Sequence, residues 1–164
     1  MTMMEKSPAL PKTSQPPIGE FINLYDELGQ DGSQIISIHL TEKLSGTVNT
    51  ARQAAQMSQS NVTVIDSDYI DQALGFQVYE AAKLAQEGAT VDQIVSHIEK
   101  VKEKTQLYIG VATLDNLVKG GRIGKLVGVV SGFLNMKVLC QLNNGELEIV
   151  SKGRGNKTFM KWIK

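Results

Sequence analysis

Short runs of β-branched residues, set between longer segments of helical period, constrain this chain more than any other feature. Ile35, Ile36 and Ile38 form one such run, ending near His39, and residues 62–65 form another, ending at Asp66. Apolar runs of this length predict strands with little solvent on either face. Around them the apolar residues recur every three or four positions. Ile18, Phe21, Ile22, Tyr25 and Leu28 fall on one helical face, with Pro16 and Pro17 suited to the first turn and Gly29 to the stop. A second helix is expected from about Gly46 to Met57. Leu74, Val78, Ala81, Ala82 and Ala85 make a further apolar stripe that Gly88 closes. Thr90 and Gln93 have capping-box spacing for a helix whose core face is Val91, Ile94, Val95, Ile98 and Val101. His97 falls on its polar face, and Lys102 and Lys104 suit its negative end.

The order helix, strand, helix, strand, helix predicts the α/β class: parallel strands joined by right-handed crossovers, with ligands beyond the carboxyl ends of the strands. Residues 39–47 and 66–75 lie there. From residue 107 the pattern changes to a strand over 107–112, a short helix over 114–119 and the glycine-rich turn Gly120-Gly121-Arg122-Ile123-Gly124. Two further strand-like runs, 138–142 and 146–150, flank Asn144-Gly145, a pair that favours a two-residue hairpin turn because both central positions need positive φ. The expected organisation is a disordered leader over 1–12, a first α/β lobe with a parallel sheet over 13–88, and part of a second α/β lobe with a β-hairpin over 89–164.

A chain of 164 residues can bury a real apolar core. Its 17 basic and 17 acidic residues leave no net charge to draw it onto nucleic acid or an anionic membrane. Cys140, the single cysteine, forms no internal disulfide, and no Cys/His cluster has zinc-ligand spacing; both features suit the cytoplasm, and no metal is expected. The longest apolar run, residues 126–134, is broken by Gly and Ser and is too short to span a bilayer, so no transmembrane segment is expected.

Ser45-Gly46-Thr47 stands where a strand hands over to a helix, so its hydroxyls and the helix's free N–H groups are suited to an anion. The same residues also suit a plain helix cap, and Thr13-Ser14 before Pro16 has the same two readings. An acyl hydrolase is a third: Ser45 as nucleophile, His39 as base and Asp66 as orienting acid. Against it, Leu44-Ser45-Gly46 lacks the G-x-S-x-G elbow that exposes a nucleophile.

Thr13-Ser14-Gln15-Pro16, Ile36-Ser37-Ile38, Leu44-Ser45-Gly46-Thr47, Ala51, Val64-Ile65-Asp66-Ser67, Leu74-Gly75, Gly88, and Leu117 with Gly120-Gly121-Arg122-Ile123 resemble the DegV family in order and spacing, from about Thr13 onward. The resemblance implies an EDD-type, two-lobed α/β protein that is not an enzyme, takes no cofactor, and buries a long-chain fatty acid as its ligand. It further implies a partner kinase subunit, to which the bound carboxylate is presented for phosphorylation by ATP. By matching positions, Thr13 and Ser45 would hydrogen-bond the carboxylate, Ser14, Gly46 and Thr47 would shape that site, and Arg122 would contact the head group or the partner.

Measured against the family pattern, the chain is expected to be incomplete at both ends. The usual first strand with its Asp-Ser turn has no counterpart, and the family continues well beyond Trp162, where a further carboxylate-holding histidine is common. Asp71 stands in place of a small hydroxyl residue, Ala73 in place of Gly, and Val138 in place of Pro. A non-binding fragment, or a homodimer formed through bared apolar surface, is therefore a competing expectation.

Overall fold

The computed structural model describes residues 11–122, 136–155 and 157–163. The expected leader lies outside them up to residue 10, as do Ile123 of the glycine-rich turn and the apolar run 126–134. The described residues divide into two compact units, one spanning Gln15–Gln106 and the other running from Leu107 onward and taking in Thr13 and Ser14.

In the first unit the helices and strands alternate as their periodicity dictates: α1 (Ile18–Leu28), β1 (Ile35–His39), α2 (Thr47–Met57), β2 (Val62–Asp66), α3 (Asp71–Gln86) and α4 (Val91–Lys104). β1 and β2 pair in parallel, Ile35 opposite Val62 through His39 opposite Asp66, with α2 as the crossover. Val48, Ala51 and Ala54 bury one face of α2. α1 ends at Gly29, whose N–H returns to the Tyr25 carbonyl at 3.0 Å. Any Cβ there would collide with the Ser60 side chain, which itself donates to the Tyr25 carbonyl at 2.8 Å. Asp26 completes this clamp by accepting from Ser58 Oγ at 2.6 Å and Gln59 N at 2.8 Å.

The apolar core of the unit is Ile65, Ala81, Ile94 and Ile98, with Ile36, Ile38, Leu84, Ala89 and Val95 packed around it. Burying a side chain such as Ile98 contributes roughly 1.5–3 kcal/mol. This core explains why the first unit extends to Gln106 rather than ending at the expected boundary after Gly88: α4 supplies half of it. The Thr90 capping box forms both of its bonds, Gln93 N to Thr90 Oγ1 at 3.3 Å and Thr90 N to Gln93 Oε1 at 2.9 Å.

α3 departs from its expected stripe. Ala73, Gln77 and Ala81 are its buried residues, whereas Val78 is 45% exposed. The helix is turned so that Gln77 points inward, which leaves Val78, Ala82 and Ala85 beside β1. There they line a groove of about 530 Å³ with Ile36, Ile38 and Val91. Among the described residues, β1 pairs only with β2, so its other edge is unpaired.

The second unit holds β3 (Leu107–Val111), α5 (Asp115–Lys119), β4 (Lys137–Asn143), β5 (Glu146–Gly153) and α6 (Lys157–Ile163). Its antiparallel sheet has the order β3-β4-β5. The hairpin turns through Asn144 at φ 46° and Gly145 at φ 77°, the left-handed pair that its two-residue loop requires. Val138, Leu139, Cys140 and Leu142 make β4 the buried centre of the sheet. α6 was not foreseen from the sequence. It packs on this sheet through Trp162 against Tyr108, ring centres 4.4 Å apart, and Phe159 against Gly110.

Candidate functional site

Buried polar groups tie the carboxyl ends of β1 and β2 together. Beyond β1 the chain turns at Thr41, which has no solvent exposure. Its N–H donates to the Tyr69 carbonyl at 3.0 Å, and its own carbonyl accepts from Leu44 N at 3.1 Å and Ser45 N at 3.2 Å. Its hydroxyl accepts from Lys43 N at 3.3 Å. Beyond β2, Ser67 N donates to the His39 carbonyl at 3.0 Å. The Ser67 hydroxyl donates to the Tyr69 carbonyl at 3.0 Å and accepts from Tyr69 N at 3.1 Å. Gln77 reaches in from α3, its Nε2 donating to the Ser67 carbonyl at 2.9 Å. Ser67 and Gln77 are as fully buried as Thr41. Most of these groups find partners, as buried polar atoms must; Gln77 Oε1 has none among the described residues.

A charged layer lies outside this knot. The Asp66 carboxylate accepts from Glu42 N at 3.0 Å and Asp68 N at 2.9 Å. Lys102 reaches from α4 to Asp68 at 2.7 Å, the Asp66 carbonyl at 3.1 Å and Glu99 at 3.4 Å. Burial works against its charge, but Asp68 and Glu99 outweigh that and hold Lys102 above its ordinary pKa. Tyr69 donates to the Thr105 carbonyl at 2.6 Å, and burial, with Asp68 beside it, pushes its hydroxyl up.

The knot presents Ser45, Gly46 and Thr47 together, each half-buried. Ser45 Oγ and Thr47 Oγ1 share a hydrogen bond of 2.8 Å, and Ser45 Oγ also accepts from Thr47 N at 3.3 Å. Neither hydroxyl is the formal cap of α2. The N-cap is Gly46, which uses no side chain. Its bareness matters for a second reason: a Cβ there would lie 3.1 Å from Gln15 Nε2, so glycine lets Gln15 rest against the turn. The result is two hydroxyls at a helix N-terminus, where unpaired N–H groups and the helix dipole favour an anion.

Thr13 and Ser14 are exposed and belong to the second unit. Arg122 is exposed too, and its Nη1 donates to the Gly120 carbonyl of its own turn at 2.8 Å. Asp71 is exposed at the start of α3 with φ 55°, while Ala73 is buried and Val138 lies in β4. The acyl-hydrolase constellation is not assembled. Ser45 Oγ bonds Thr47, whereas His39 Nε2 bonds Ser37 Oγ at 2.7 Å, and Ser37 Oγ in turn bonds Tyr25 Oη at 2.7 Å. The Phe21 ring stands edge-on to His39, 5.4 Å away. Burial holds the His39 imidazole below its usual pKa, with Asp66 partly opposing.

Thr41, Tyr69 and Gln77, which help build the site, were not picked out from the sequence, and Ser67 and Lys102 were noted only as part of a motif and as a helix-end charge. One signal was there to read: Gln77 stands four residues from both Ala73 and Ala81, a polar residue in line with small apolar ones.

The DegV family model matches residues 1–164, the whole chain. The chain belongs to the DegV family. A DegV domain-containing protein of Streptococcus pneumoniae, spr1019, is 55% identical over 163 residues, and one of Listeria monocytogenes, lmo1863, is 48% identical. Each match takes in 99% of this chain and 58% of the relative, so this DegV chain spans well under two thirds of those relatives' length. Among solved structures, a fatty-acid-binding DegV family protein from Thermus thermophilus superposes with TM-score 0.87 at 30% identity, covering 99% of this chain and 60% of that one. DegV of Bacillus subtilis, a fatty-acid-binding protein, gives TM-score 0.81 at 35% identity, covering 93% and 55%. Both of these solved structures are of fatty-acid-binding proteins. Among the described residues of this DegV chain, no group of His, Cys, Asp and Glu is placed to hold a metal ion, and no helix is long and apolar enough to cross a membrane.

Proposed function

We propose that this chain binds a long-chain fatty acid, with Thr13 and Ser45 hydrogen-bonding the carboxylate and Ser14, Gly46 and Thr47 shaping the head-group site. Membership of a family with fatty-acid-binding relatives supports the ligand class. The observation that carries the head-group assignment is the hydroxyl pair of Ser45 and Thr47, 2.8 Å apart, at the N-terminus of α2 and beyond the carboxyl end of β1.

Energetics favour a division of labour. A dozen buried methylenes supply on the order of 10 kcal/mol before ordering costs, whereas each hydrogen bond to a charged group contributes roughly 1.5–3 kcal/mol. The tail therefore sets affinity and the hydroxyls fix where the head lies. A carboxylate held by neutral donors keeps its charge, which suits presentation to a kinase subunit for phosphoryl transfer in the cytoplasm. Arg122 is a head-group or partner contact in this scheme. Self-association as a homodimer draws support from the apolar groove beside the unpaired edge of β1, since bare edges and apolar patches favour pairing.

Native mass spectrometry of the chain purified from bacteria tests the reading. A co-purifying fatty acid is expected, together with a rise in melting temperature on adding oleate that Ser45→Ala diminishes. A chain that carries no lipid and gains no stability from oleate is a non-binding fragment, and the proposal is then wrong.

A further inference from the structure

We infer that Gln77 is a positioning residue for the Ser45 hydroxyl, an inference that rests on the fatty-acid reading of this site. The Gln77 bond goes to Ser67 rather than to the turn that carries Ser45, so its influence is relayed. Its Nε2 holds the Ser67 carbonyl at 2.9 Å. Ser67 fixes Tyr69 through its hydroxyl at 3.0 and 3.1 Å. The Tyr69 carbonyl receives Thr41 N at 3.0 Å, and the Thr41 carbonyl receives the Leu44 and Ser45 amides at 3.1 and 3.2 Å. Each link is one hydrogen bond or a pair of them, and Thr41, Ser67 and Gln77 are all without solvent exposure.

Gln77 Oε1, unmatched among the described residues, points the same way. An aliphatic residue of similar size would remove an orphaned acceptor from the interior, so the amide is poorly explained as a packing element. Its donor is what the fold uses. The turn of α3 that brings this donor inward also displaces Val78 to the surface, at 45% exposure.

Gln77→Leu, with Ser45→Ala for reference, separates the roles. Two readouts are taken on the full chain: amide hydrogen exchange, and dissociation constants for palmitate and for methyl palmitate, which keeps the tail and loses the charge. In Gln77→Leu the Leu44 and Ser45 amides are expected to exchange about tenfold faster while the Ile65 and Ile98 amides are unchanged. The preference for acid over ester is expected to fall about tenfold, toward that of Ser45→Ala. Unchanged turn amides overturn the inference. So does uniform acceleration that includes Ile65 and Ile98, which marks Gln77 as ordinary core, and so does an acid-to-ester ratio equal to that of the parent chain. If the parent chain binds neither lipid, the fatty-acid reading fails, and the exchange data alone still decide whether Gln77 holds the Ser45 turn.

Discussion

Two glycine-containing turns carry polar side chains in this sequence, and the structure builds them in opposite ways. Residues 41–47 are anchored at a distance: Thr41 to Tyr69, Glu42 to Asp66, and Gly46 packed against Gln15. The described bonds of the turn at Gly120–Arg122 are local, Gly121 N to Val118 O, Arg122 N to Leu117 O and the Arg122 guanidinium to Gly120 O. A turn held through buried groups of distant segments has one geometry and can aim a hydroxyl. A turn whose described bonds are local leaves its charged side chain exposed, where a ligand or a partner can reach it. The difference teaches that the partners behind a glycine-containing turn decide how firmly its polar side chains are aimed.

Thr41→Val is the harshest test of this contrast. It removes a fully buried hydroxyl that accepts from Lys43 N, and a loss of about 1–3 kcal/mol is expected in urea unfolding. A loss no larger than that of a surface substitution would show that the buried knot does not hold the turn. Lys102→Met comes next. Asp68 is partly exposed, so the ion pair itself is screened, and about 1 kcal/mol is expected, with faster amide exchange around Asp68.

The pH dependence of stability sharpens the comparison from the other side of β1. Because burial lowers the folded pKa of His39, the unfolded chain binds the proton first as pH falls below the ordinary imidazole value of about 6.5. Stability due to this residue is therefore full at neutral pH and declines as pH drops through that value toward the folded pKa. In His39→Gln, melting curves taken between neutral and mildly acidic pH should lose this component, and an unaltered slope would remove His39 from the account. Arg122→Ala is expected to do least, within about 0.5 kcal/mol, since the side chain is exposed and its bond is to its own turn. A larger effect would mean that this turn, too, is held by distant partners.

The elements were legible because their signals are local. The period of α1, the capping box of α4 and Asn144-Gly145 each depend on residues a few positions apart, and each forms as its chemistry requires. The site was legible only at its visible end. Ser45, Gly46 and Thr47 could be marked by residue type, but the bonds that fix them join Thr41 to Tyr69, Ser67 to Gln77 and Lys102 to Asp68, pairs that no helix or strand periodicity links. Lys102 shows the limit well. Spacing placed it in the last turn of a helix, where it stands, but could not show that the fold also gives it the last carbonyl of β2 and a carboxylate on the loop beyond. The inward face of α3 was misjudged for the same reason, since a buried glutamine looks unfavourable until its partner is known.

The lone thiol offers a way to watch one half of the molecule by itself. Cys140 sits in the middle strand of the antiparallel sheet, without solvent exposure, and burial pushes its pKa up. Only the thiolate attacks alkylating reagents, so modification must await an opening of that sheet. The rate of labelling under native conditions is thus a clock for the opening of the hairpin sheet.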